Sequence, residues 1–106
     1  AQRIDGRGKF LMPGLAEMHA HVPPGNPTQE QLADIMFLYI ANGITTIRGM
    51  LGAPYQIGLR DQLASGAMLG PRFFAAAPSL NGNSAPTPEA AVALVKSAVV
   101  TGYDLM

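Results

Sequence analysis

The sequence predicts an α/β fold with parallel strands, and three observations predict it. Short β-prone runs alternate with helix-like runs along the 106 residues, four of the former with three of the latter. The runs are separated by Gly, Pro, Asn and Ser, residues that end one element and start the next. The resulting β-α-β-α-β-α-β order favours parallel neighbours joined by right-handed crossovers.

Phe10 to Val22 begins apolar, turns at Pro13-Gly14 and then runs as the first strand into two histidines, His19 and His21. Thr28-Gln29-Glu30-Gln31 reads as a capping box, the Thr28 hydroxyl accepting from the main chain and Gln31 reaching back. Leu32, Ile35, Met36, Tyr39 and Ile40 follow at helical spacing, and Asn42-Gly43 supplies the stop. Ile44 to Arg48 is short and β-branched, as a buried second strand should be. Pro54 opens a second helix that carries Leu59 and Leu63 and ends near Gly66. Pro71 to Ala76 reads as a third strand, and residues 78–88 as a loop rich in Pro, Asn and Ser. Thr87 and Pro88 fit the cap and first position of a third helix, with Glu89 favourable in its first turn. Ala91, Val92, Leu94, Val95, Ala98 and Val99 populate that helix, which Gly102 closes. Tyr103 to Met106 looks like a fourth strand that has only begun.

Two architectures accept this order, an open doubly wound sheet and part of a (β/α)8 barrel. A whole barrel takes about 250 residues, so this sequence would supply about three and a half of its eight units. One domain typically takes roughly 100–200 residues, which limits the sequence to a single domain or part of one.

Composition narrows the function classes. Hydrophobic residues make up 48% and charged residues 13%, enough apolar surface for a packed core. Seven Lys and Arg balance seven Asp and Glu, so no basic surface for nucleic acid or an anionic membrane is expected. No apolar run approaches the roughly 18–20 residues that span a bilayer. Cys is absent, which excludes disulfides, thiol nucleophiles and thiolate zinc sites. Gly49 to Gly52 has the wrong spacing for a dinucleotide fingerprint, and no P-loop Lys follows the turns at 80–84.

The histidines carry the chemistry. Residues i and i+2 of a strand project to one face, so His19 and His21 can point at one ion, and imidazole suits zinc, iron, nickel and copper. Taken alone, the spacing favours two solvated histidines near the Pro23-Pro24 turn over a metal site.

The surrounding residues add a resemblance. Met12-Pro13-Gly14-Leu15-Ala16-Glu17-Met18-His19-Ala20-His21 resembles the first barrel strand of the amidohydrolase superfamily, an apolar residue and Pro-Gly followed by (Asp/Glu)-x-His-x-His. Ile4 to Lys9 looks like that family's lead-in from a small β-sandwich domain, and Asn42 to Arg48 is similar to its Gly-(Val/Ile)-Thr-Thr-(Val/Ile)-Arg second strand. Ser65-Gly66 followed by Gly70-Pro71-Arg72 is similar to the third-strand entry of the imidazolonepropionase-like and Xaa-Pro dipeptidase-like branch, and Gly102 to Leu105 looks like the start of strand four.

The resemblance implies residues 1–9 as the lead-in and 10–106 as the first part of a TIM barrel, strands one to four with three helices. It implies a hydrolase of C–N bonds in amides, peptides or cyclic amides, acting through one or two divalent ions, zinc foremost. His19 and His21 are then metal ligands and Glu17 a residue that orients them; the remaining ligands and the catalytic Asp are expected beyond Met106, with a Lys due directly after it. Two histidines do not complete a four-coordinate zinc site, so weak metal affinity and no turnover are expected of this chain alone. Its partners would be a small-molecule or peptide substrate, with no nucleic acid or membrane, and further copies of itself through exposed barrel edges. Glu17 stands where relatives more often have Asp, and Gly49 where many have Asp.

Other polar residues have plainer readings. Arg48 and Arg72 lie in strands, where either is a candidate clamp for a substrate carboxylate; a structural ion pair or a snorkelling side chain is the expectation. Asp104 is expected to cap or orient rather than react, Lys96 to be solvated, and the six methionines to fill the core. The competing function is a non-enzymatic α/β binding module whose histidine pair is incidental.

Overall fold

A computed structural model describes residues 2–106; Ala1, the first residue of the expected lead-in, lies outside them. The elements are β1 (Leu15–Ala20), α1 (Gln29–Ala41), β2 (Ile44–Gly49), α2 (Tyr55–Ser65), β3 (Arg72–Ala75) and α3 (Pro88–Thr101). The three strands form one parallel sheet in the order β1-β2-β3, as the alternation predicts. A fourth strand only starts: Leu105 bridges Ala76 in parallel, and the Ala77 N–H donates to the Leu105 carbonyl at 2.8 Å.

The helix ends follow from local chemistry. Thr28 accepts the Gln31 N–H at 3.2 Å while the Gln31 side chain accepts the Thr28 N–H at 2.9 Å, so both halves of the capping box form. Thr87 caps α3 ahead of Pro88, and Gly66 and Gly102 end α2 and α3 in the left-handed conformation that favours glycine. No helix is long and apolar enough to cross a membrane among the described residues.

One face of the sheet is the core. Ala20, Ile47, Phe73 and Ala75 pack with Val22, with Leu32 and Met36 of α1 and with Leu59 of α2. Along β2 and β3 the alternate residues, Thr46, Arg48, Arg72 and Phe74, therefore face away from these helices. Gly49 lets that core close, because a Cβ there would stand 2.3 Å from the Phe73 ring.

One expectation needs correction. Met36 is buried, but Met12, Met18 and Met106 are exposed, so the methionines do not all fill the core. On α3 only Ala98 is buried; Val92, Leu94, Val95 and Val99 remain exposed although they repeat at helical spacing.

The C-terminal segment is tied to α2 by charge. Arg60 donates to the Gly102 carbonyl at 2.7 Å and to the Asp104 carboxylate at 3.2 Å. Asp104 also accepts the Ala75 N–H at 2.8 Å, so it joins β3 to the incipient fourth strand.

Candidate functional site

The site starts from an irregularity in β1. Glu17 pairs with Ile47 and Ala20 with Gly49, so Met18 and His19 together stand opposite one residue, Arg48. This is a two-against-one bulge, a device that re-aims side chains and releases main-chain groups from the ladder. The N–H of His19 is taken up by Oε1 of Glu17 at 2.9 Å.

Ala20 and Val22 turn inward to the core, which sends His19 and His21 to the sheet face that bears Arg48. Both histidines are exposed at the C-terminal end of β1, their ring centroids 5.0 Å apart and their planes at 74°. Imidazole nitrogens bind zinc at 2.0–2.1 Å, and these two neighbouring rings are the residues that could hold part of such a site. Among the described residues no third His, Cys, Asp or Glu joins them to form a metal-binding group. Glu17 makes no hydrogen bond to either ring among the described residues; its carboxylate accepts from the main chain of His19.

Two tyrosines hold the segment that follows, and sequence reasoning missed them as site residues. Tyr39 of α1 donates its hydroxyl to the His21 carbonyl at 3.3 Å, and Tyr55 of α2 donates to the Pro23 carbonyl. Both helices therefore pin the main chain on either side of Val22. Burial, with the nearby Glu17 carboxylate adding to it, raises the Tyr39 phenol above its ordinary 10.0, so it stays a hydrogen-bond donor at neutral pH. The signal was present at Tyr39, since a tyrosine on a buried helix face needs a partner for its hydroxyl.

Of the two plain roles expected of the strand arginines, the ion pair does not form among the described residues. Arg60 meets Asp61 and Asp104, and Arg7 meets Asp5, but neither Arg48 nor Arg72 forms an ion pair among the described residues. Arg48 is half-buried, its Nε buried without a hydrogen-bond partner, and Arg72 is exposed. The sheet offers no acid on their face, which is why the expected structural pairing does not occur.

Comparison of the chain with protein-family models, with curated proteins and with solved structures gives no significant match.

Proposed function

We propose that the chain is the first part of a (β/α)8 barrel of the amidohydrolase kind, whose intact form hydrolyses C–N bonds of amides, peptides or cyclic amides with a divalent metal. The observation that carries this reading is the placement of His19 and His21 side by side at the C-terminal end of a parallel strand, on the face the helices leave open. Parallel α/β folds bind ligands and carry out chemistry at that end of their strands. Strand pairing in chain order, with α1 and α2 packed on a shared face, supports the barrel as the architecture.

A zinc ion held there would lower the pKa of a bound water and polarise a substrate carbonyl. This chain's own contribution is positional. His19 and His21 supply two nitrogens, the bulge aims them, Glu17 satisfies the N–H that the bulge releases, and Tyr39 and Tyr55 hold the main chain beyond. Two ligands without a proton shuttle bind metal weakly and give no turnover, so the activity belongs to the intact barrel.

A zinc titration followed on the histidine ring resonances tests the reading. Both rings should shift together and return on adding a chelator, and the double variant H19A/H21A should not respond. Rings that ignore zinc, or a response that survives in the double variant, would leave the binding-module reading in place.

A further inference from the structure

We infer that Asn81 is a self-modification site, whose side chain closes onto the Gly82 nitrogen with loss of ammonia and then opens with water to aspartate or isoaspartate. The reaction draws on no part of the histidine pair, so it is independent of the proposed function.

Three residues of the chain precede a glycine and carry a side chain able to form such a ring: Asp5, Asn42 and Asn81. Glycine leaves the attacking nitrogen unscreened by a side chain. In sequence Asn42 and Asn81 are equivalent, and the fold separates them. Asn42 caps the end of α1 and is tied at both reacting groups. Its Nδ2 donates to the Leu38 carbonyl at 2.8 Å, and the Gly43 N–H, the group that would attack, donates to the Ile40 carbonyl at 3.0 Å. Asp5 is kept as a carboxylate by the Arg7 guanidinium, which holds its carboxyl below the ordinary range. A carboxylate loses oxygen far less readily than an amide loses ammonia.

Asn81 has the opposite arrangement. It lies exposed in the loop between β3 and α3, and neither its Nδ2 nor the Gly82 N–H has a hydrogen-bond partner among the described residues. Its Oδ1, by contrast, accepts the N–H of Asn83 at 2.9 Å and that of Ser84 at 3.1 Å. Both partners are donors, so the oxygen of the amide must face them. Two converging main-chain N–H groups form a small anion nest on the atom where negative charge develops when Cγ is attacked. The loop is fixed around this contact. The Asn81 N–H donates to Ser84 Oγ at 2.9 Å, and the Ala85 N–H donates to the Asn81 carbonyl at 2.8 Å. Nucleophile and leaving group are thus free while the oxygen between them is held.

The step balances with water alone. The Gly82 nitrogen gives its proton to hydroxide and bonds to Cγ, the Cγ–Nδ2 bond breaks, and Nδ2 leaves as ammonia with a proton from water. Water then opens the imide at either carbonyl, leaving aspartate or a main chain routed through the side chain. Each event adds one negative charge to a chain whose net charge is zero. That charge appears on a loop leaving the same end of the parallel sheet as the histidine pair.

The test is peptide mapping by mass spectrometry of the full chain aged at mildly alkaline pH, once folded and once in urea, with product measured separately at residues 42 and 81. In urea the two asparagines should convert at similar rates, since both precede glycine. In the folded chain Asn42 should slow by about tenfold or more, because two hydrogen bonds must break before attack. Asn81 should keep at least its rate in urea. Gly82→Ala supplies a second check. A Cβ there would meet nothing within 4 Å, and Gly82 is not among the glycines with positive φ, so the variant should fold as the parent does. Its methyl group beside the attacking nitrogen should suppress conversion at residue 81 and leave Asn42 unchanged. Protection of Asn81 by the fold as strong as that of Asn42, a preference for Asn81 that persists in urea, or undiminished conversion in Gly82→Ala would each overturn the inference.

Discussion

The carboxylate of Glu17 accepts the main-chain N–H of His19, two residues further along the same strand, at 2.9 Å. The contact caps a bulge rather than a helix, and it sets the direction of the first histidine through the backbone. A side chain of either amide or acid type can accept that N–H, but a methyl group cannot. Glu17→Gln should therefore keep most of the zinc affinity, whereas Glu17→Ala should lower it about tenfold, with a stability loss of about 1 kcal/mol or less because the site is exposed. Paired zinc titrations and urea unfolding of the two variants measure both effects.

The tyrosine tethers predict a second series. Tyr39→Phe and Tyr55→Phe each remove one hydrogen bond to the segment after β1, at a cost of about 1 kcal/mol each. Zinc affinity should fall in Tyr39→Phe, whose partner is the His21 carbonyl itself, by more than the stability change alone accounts for. Equal affinity in parent and variant at a temperature where both are folded would show the tether to be purely structural.

Tyr39 also predicts a pH dependence. Its folded pKa lies above the ordinary 10.0, so the protonated phenol is favoured in the fold. The contribution is fully present below the ordinary value and is lost as pH rises through the folded one. The stability advantage of the parent over Tyr39→Phe should be constant from pH 7 to about pH 9 and then decline in the alkaline range. Denaturation curves at stepped pH check the sign.

Two glycines differ in what surrounds them. A Cβ at Gly49 would meet the Phe73 ring at 2.3 Å, whereas one at Gly52 would meet the Ala76 carbonyl oxygen at 1.5 Å. A ring can tilt; a strand-end carbonyl cannot move without breaking its neighbours. Gly49→Ala should cost about 1–3 kcal/mol, and Gly52→Ala should cost more. Trimming the ring in Gly49→Ala/Phe73→Leu should recover part of the first loss, and no trimmed side chain should rescue the second.

Association gives a further prediction. β1 pairs with β2 alone, and Phe10 and Leu11 just ahead of it are fully exposed. An open strand edge beside exposed apolar residues, on a chain without net charge, should self-associate. Light scattering at micromolar concentration should report dimers or larger species, and Phe10→Lys/Leu11→Lys should shift them toward monomer. A parent chain that is monomeric throughout would show that the edge is protected.

What could be read from the residues was what neighbours in sequence decide. Thr28 with Gln31, Thr87 with Pro88, and the glycines at 66 and 102 act within one helical turn, and each element boundary they imply is present. The shared face of His19 and His21 follows from strand geometry alone. The bulge was hidden because it depends on how β1 registers against β2, and the tyrosine tethers because their partners lie 18 and 32 residues away. The free state of Arg48 was hidden for the same reason, since pairing depends on which acids the fold brings near. On α3 the periodicity suggested an apolar face without saying what would cover it, and the described residues cover only Ala98.

The order β1-β2-β3 means that every strand pairs with the one made just before it. Such a sheet can grow in step with synthesis, each βα unit docking as it leaves the ribosome, with no need to wait for distant sequence. At about 5–20 residues per second, a new edge would stand open for a few seconds before its next partner arrives. During that interval the edge of β3, already touched by Leu105, is the place where a neighbouring nascent chain could join in error. Synthesis rate, as much as sequence, would then decide how much of this protein escapes association.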